Sequence, residues 1–190
     1  MGRPRTFDEQ QVLAKARDRF WKHGYAATSV QDLEAATGLK RSSLYQAFGD
    51  KRKLYDRTLA MYQGDNLAYL RDLVASVQDF ATAIDRLFSD AVDRLCACPD
   101  KKGCFITNAT GELASVDVGI RGFVIENRGR FTAALLPLAQ RDTSLSGKPQ
   151  ALCDYVFTLY SGLNLLAKSG AARAELQDAV KIGLAGLKTG

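Results

Sequence analysis

The chain has 190 residues, 46% of them hydrophobic and 25% charged, an ordinary globular composition with enough apolar material to bury a core. No apolar run approaches the ~20 residues that a membrane span needs. The basic start Met1-Gly2-Arg3-Pro4-Arg5 has no apolar segment behind it, so no signal peptide is expected and the cytoplasm is the expected location. The net charge of +5 is concentrated: 12 Lys/Arg against 7 Asp/Glu lie in the stretch ending at Arg57, and the remaining 14 of each cancel. A basic end on a neutral body suits a polyanion partner, because each phosphate neutralised by Lys or Arg releases condensed counterions. A solvated basic face with no partner has the same charge.

The hydrophobic spacing is helical throughout, with no period-two alternation and no Asn-Gly or Asp-Gly hairpin. A first helix is expected after Thr6, which with Glu9 has capping-box spacing. Leu13, Ala16 and Phe20 share its inner face, and Gly24 follows His23 to end it. Ser29 is the expected cap of a second helix, with Asp32 at its third position, Val30, Leu33 and Ala36 facing inward, and Gly38 closing it. A third helix spans about Arg41 to Phe48 on the anchors Leu44 and Phe48, and Asp50 caps a long fourth from Lys51. Two short helices joined by a tight Gly-containing turn form a helix-turn-helix, and the polar residues of the second are then free to face a DNA groove. Further helices are predicted at about 51–75, 79–97, 104–115, 117–141, 148–169 and 172–187, with loops from Cys98 to Gly103 and from Ser144 to Pro149.

Residues 7–57 resemble the DNA-binding region of the TetR family of regulators. The resemblance is carried by Phe20, Gly24-Tyr25, Thr28-Ser29-Val30-Gln31-Asp32-Leu33, Ala36-Thr37-Gly38-Leu39, Ser43-Leu44-Tyr45-Gln46-Ala47-Phe48-Gly49-Asp50-Lys51 and Leu54. Many relatives have Ser at the position of Lys40, as cap of the recognition helix, and often Gly at that of Ser42; Lys40 is then free to reach a phosphate. The resemblance implies an all-α fold. A three-helix helix-turn-helix domain over 1–50 is followed by a larger helical ligand-binding and dimerisation domain over 51–190. It also implies a homodimer, its two final helices pairing across the axis, on a near-palindromic double-stranded DNA operator. Gly103-Cys104-Phe105-Ile106-Thr107-Asn108 with Glu112-Leu113, and Gly162-Leu163 to Ala167-Lys168, are more loosely similar to the branch of electrophile-sensing, reductase-controlling repressors.

On the recognition helix, Arg41 suits bidentate contact with guanine, Gln46 with adenine, and Ser42, Ser43 and Tyr45 suit bases or phosphates. Ser29 and Lys51, at helix N-termini, suit phosphate contacts. Arg3 and Arg5 form either a minor-groove arm or a basic tail. The lone His23 sits at a helix end and has no Ser/His/Asp partners in any catalytic pattern, so no enzyme is expected. Cys96, Cys98 and Cys104 lack a nearby fourth ligand, and no metal or cofactor is expected. Cys153 reads as buried filler. Cys104, after Lys101-Lys102-Gly103 at a helix start, has the cationic and dipolar surroundings that activate a thiol, although a small core residue fits the position equally. Its resemblance makes it a sensing thiol at the mouth of a ligand cavity, with Lys168 near enough to stabilise a thiolate. The alternative is a reversible inducer in the same cavity, lined by Phe105, Phe123, Tyr160 and Asn164. The expected function is therefore a repressor released by a small molecule or electrophile, an activator or inducer-free DNA binder being the alternative.

Overall fold

The computed structural model describes residues 7–142 and 148–188, with side chains to residue 185 in the last helix. Every regular element among them is helical: α1 (Glu9–His23), α2 (Val30–Thr37), α3 (Arg41–Phe48), α4 (Lys51–Ala75), α5 (Phe80–Ala97), α6 (Phe105–Leu113), α7 (Val118–Arg141), α8 (Pro149–Lys168) and α9 (Arg173–Lys188). The all-α expectation is met.

Acidic and hydroxyl caps set several of the helix starts. Asp8, not Thr6, opens α1, its carboxylate accepting the N–H groups of Gln10 and Gln11; Thr6 and the arm residues Arg3 and Arg5 lie outside the described residues. Ser29 caps α2 as expected, and Asp32 completes a reciprocal box with it. At α5 and α7 the Asp79 and Asp117 carboxylates accept the N–H groups of Thr82 and Ile120. Each such cap satisfies donors that a helix start leaves without an internal partner. Pro149 is the first residue of α8 rather than part of the preceding loop, since its missing N–H costs nothing there.

The chain packs as two compact units, Met1–Gln63 and Gly64–Gly190, divided within α4. In the first, α1, α2, α3 and the start of α4 enclose Leu13, Ala16, Phe20, Leu33, Leu44, Phe48, Leu54 and Tyr55. Phe20 meets Tyr55 edge-on at 5.0 Å between ring centres, and Tyr25 lies 4.9 Å from the same ring. The aromatic contacts explain why the opening turns of α4 belong by packing to the N-terminal unit. An ion pair between Arg19 and Asp32 (2.7 Å) ties α1 to α2.

In the second unit, α5, α7, α8 and α9 contribute one apolar core that includes Phe80, Leu87, Phe88, Phe131, Leu135, Val156, Leu163, Leu176 and Leu184. Burial pushes the Cys153 thiol up to about 11, which keeps it protonated and inert, as expected of a filler. Helix α8 presents an inner and an outer face. Leu152, Val156 and Leu163 are buried, whereas Tyr155, Leu165 and Leu166 are exposed on the single chain.

Candidate functional site

The recognition face is built by the turn between α2 and α3. Gly38 takes the left-handed conformation (φ 77°) that lets the chain reverse after Thr37. The buried Thr37 hydroxyl donates to the Leu33 carbonyl and accepts the Leu39 N–H, so the turn is fixed from inside. Leu44 and Phe48 are buried, which rotates the opposite side of α3 outward. Arg41, Ser42 and Gln46 are exposed on it, while Ser43 and Tyr45 are half-buried. The Arg41 guanidinium lies over the Tyr45 ring at 5.2 Å, a cation–π contact that organises both side chains.

Lys40 occupies the N-cap position and makes no side-chain cap hydrogen bond. The first N–H of α3 is instead taken by a carboxylate from the preceding helix: Arg41 N–H donates to Glu34 Oε1 at 2.8 Å. Sequence reasoning missed Glu34. The available signal was a carboxylate on the last turn of α2 together with a cap position that holds no acceptor. Lys40 is left exposed. The Ser29 hydroxyl is engaged with Asp32, donating to Oδ2 at 2.8 Å and accepting the Asp32 N–H at 3.1 Å. At the start of α4, the Lys51 ammonium sits 4.4 Å from the centre of the Tyr25 ring, and Asp50 accepts the Lys53 N–H. His23 takes an Arg19 N–H at 3.0 Å on the last turn of α1. No cluster of His, Cys, Asp or Glu that could hold a metal occurs among the described residues.

The second unit contains a cavity of about 400 Å³ bordered by α4, α5, α6, α7 and α8. Its wall is largely apolar, with Leu67, Leu70, Leu87, Ile106, Val124, Phe131 and Phe157, and its polar points include Cys104, Thr107, Asn127 and Tyr160. Cys104 is the N-cap residue of α6 and is 7% exposed. Cys104 and Tyr160 therefore reach the same space. Phe105 is buried in packing, Asn164 gives its amide N–H to the Tyr160 carbonyl at 2.8 Å, and Phe123 is half-buried; none of the three borders the cavity. Lys168 is exposed and also outside the wall, although its Cβ lies 3.2 Å from the place a side chain on Gly103 would occupy. Gly103 has φ 64° and packs directly on α8.

A tightly capped helix pair exposing Arg, Ser and Gln on its second member, at the basic end of an all-helical chain, defines a helix-turn-helix DNA-binding protein. Residues 12–58 match the profile of bacterial regulatory proteins of the tetR family. The uncharacterized HTH-type transcriptional regulator YezE of Bacillus subtilis (strain 168) is 32% identical, across 97% of this chain and 98% of YezE. The HTH-type transcriptional repressor ComR of Escherichia coli (strain K12) is 29% identical, across 93% of this chain and 87% of ComR. Among solved structures, a cysteine mutant of the TetR family transcriptional regulator CifR, complexed with 26-bp double-strand operator DNA, superposes with a TM-score of 0.85. It is 28% identical, and the match covers 98% of this chain and all of CifR's. The chain belongs to the TetR family and is a DNA-binding transcriptional regulator.

Proposed function

We propose that the protein is a homodimeric cytoplasmic repressor, not an enzyme. It would occupy a near-palindromic operator through Ser29, Lys40, Arg41, Ser42, Ser43, Tyr45, Gln46 and Lys51. It would leave when a small molecule fills the cavity or when Cys104 is modified there. Residues 1–50 then form the reading head and residues 51–190 the sensing and dimerising part. Repression is supported by the naming of ComR and of BdcR, also of Escherichia coli (strain K12), as transcriptional repressors.

The observation that carries the sensing role is the position of Cys104: a thiol at a helix junction, in the wall of a largely apolar cavity. A group added to that sulfur must occupy the cavity or displace α6, because packed interiors respond to added volume by rigid-body shifts. Helix α4 runs unbroken from Lys51 to Ala75 and supplies Leu67, Tyr69 and Leu70 to the cavity wall. A displacement there acts on the helix that begins at the DNA-contacting Lys51.

The test is operator release, followed by mobility shift, on treatment with N-ethylmaleimide, benzoquinone or hypochlorite. Wild type and a variant retaining only Cys104 should release DNA, and Cys104→Ser should hold it. Release from Cys104→Ser at the wild-type dose would reject the thiol switch and leave the cavity as a site for a reversible inducer.

A further inference from the structure

Among the described residues, the cavity wall holds no Asp, Glu, Lys or Arg, so a ligand with a net charge would be buried without a counter-charge there. Its occupant is therefore neutral and mostly apolar, and its orientation depends on the few polar groups with hydrogen-bonding capacity to spare. Three hydroxyls on the wall have already spent their protons. The Tyr69 hydroxyl donates to Asp90 Oδ2 at 2.7 Å, Thr110 to the Ile106 carbonyl at 2.8 Å, and Ser161 to the Phe157 carbonyl at 2.8 Å.

Tyr160 differs. Its phenol oxygen accepts an N–H from Arg94 at 3.0 Å, and a guanidinium has no acceptor to offer in return. The neighbouring Asn164 amide N–H goes to the Tyr160 backbone carbonyl at 2.8 Å. The ring is held by Phe131 at 5.6 Å and Phe88 at 6.2 Å between ring centres, and Arg94 is steadied by the Tyr69 face at 5.2 Å. The phenol thus accepts from Arg94 and keeps its own proton to donate, and its side chain lines the cavity. Burial pushes the phenol above its ordinary range, so it stays a neutral donor at physiological pH. Accepting a charge-assisted hydrogen bond also polarises the O–H and strengthens what it donates.

We propose that Tyr160, positioned by Arg94, is the specificity-determining donor of this cavity and recognises the carbonyl oxygen of a neutral, predominantly apolar carbonyl compound. The inference rests on the cavity being the effector site. Cys104, on the same wall, then faces a ligand whose polar end is already fixed.

The test uses two probes of nearly equal shape, acetophenone and ethylbenzene, with the full-length protein and calorimetric or ligand-observed NMR titration. Wild type should bind both and prefer the ketone roughly three- to tenfold, the worth of one buried hydrogen bond. Tyr160→Phe should bind ethylbenzene as wild type does, which shows the cavity intact, and lose the preference. Arg94→Met should weaken the preference without abolishing it. The infrared carbonyl band of bound acetophenone should be red-shifted in wild type and return toward its apolar-solvent position in Tyr160→Phe, a signature that a purely structural role would not move. If both probes bind but Tyr160→Phe keeps the ketone preference and the band shift, the Tyr160 assignment is overturned while the cavity reading stands. If neither probe binds wild type, the cavity reading falls and the assignment with it.

Discussion

At the start of α3 the carboxylate of Glu34 does what the cap residue does elsewhere, and it does so across the helix-turn-helix turn. It satisfies a donor with no partner inside its own helix and places a negative charge where the helix dipole favours one. Glu34→Ala should therefore destabilise the N-terminal unit by about 1 kcal/mol. Glu34→Gln, whose amide oxygen still accepts, should cost only a fraction of that. Urea denaturation of both variants checks the ranking, and equal losses would show that the cap does not depend on an acceptor at this position. The proposed DNA contacts on α3 and at the start of α4 should divide by task. Arg41→Ala and Gln46→Ala should each cost ~1–3 kcal/mol and relax base preference where the side chain reads a base edge. Lys51→Ala should weaken all DNA alike and flatten the salt dependence by about one phosphate's worth. Titrations of operator and scrambled DNA at two salt concentrations separate the two patterns. Asp32, holding the α2 cap, has its pKa lowered by the Ser29 N–H, the Ser29 hydroxyl and the Arg19 charge. A carboxyl with a folded pKa below its unfolded value of 3.8 stabilises the fold above that pH. That contribution is lost as pH falls through the folded value. Asp32→Asn should accordingly flatten the acid limb of the stability profile below about pH 3.8.

Helix boundaries were largely legible because they depend on local chemistry: a period of 3.6 and an acceptor at the N-cap are properties of the sequence itself. Residues 117–141 read as one helix despite Pro137, and the structure carries α7 through it. Helix α6 stops earlier than expected, at Leu113, because Asp117 must leave helical geometry to cap α7, and the Ala114–Val116 turn makes that change of direction. The cavity wall was less legible. Apolar spacing reports that Phe105 faces inward, but not whether inward means core or open space. A cavity arises where several helices fail to close, a property of tertiary packing that no single segment encodes. The same limit hid Arg94, whose partner Tyr160 is far away in the chain. Gly103 shows how element packing constrains this region. With φ 64°, it rests on α8 so closely that an added Cβ would lie 2.9 Å from the Asn164 carbonyl oxygen, a backbone atom that cannot swing away. Gly103→Ala should cost about 1–3 kcal/mol from the left-handed conformation and the displaced contact. Thermal denaturation measures the loss. A neutral result would mean that the α6–α8 junction yields easily, in conflict with a signal passed by rigid displacement.

At the scale of the whole molecule, α8 and α9 carry an apolar outer face. The single chain leaves Ile182 76% exposed, Tyr155 41% and Leu166 38%, while neighbouring residues on the same helices fill the core. The two helices are already locked together: the Tyr155 hydroxyl donates to the Gly183 carbonyl at 2.8 Å, and a Cβ on Gly183 would lie 2.6 Å from the Leu159 side chain. A rigid pair with an apolar outer face suits self-association about a two-fold axis, where one patch meets its own copy. Two recognition units related by that axis read half-sites of opposite orientation, which is the reason for expecting a near-palindromic operator. Deleting residues 148–190 would test this poorly, since Leu152, Val156, Leu163, Leu176 and Leu184 would be lost from the core along with the outer face. The double variant Leu166→Glu, Ile182→Glu changes only exposed positions and should leave the folded chain near its wild-type helicity. Carboxylates facing one another across the axis should then hold it monomeric in sedimentation at concentrations where wild type is dimeric. Operator affinity should fall by at least the effective-concentration advantage of linked half-sites, about a hundredfold. Affinity for a single half-site, read by the unchanged α3, should remain. A double variant that still sediments as a dimer would move the interface off α8 and α9. One that is monomeric yet binds the full operator at wild-type strength would remove the need for two-fold reading.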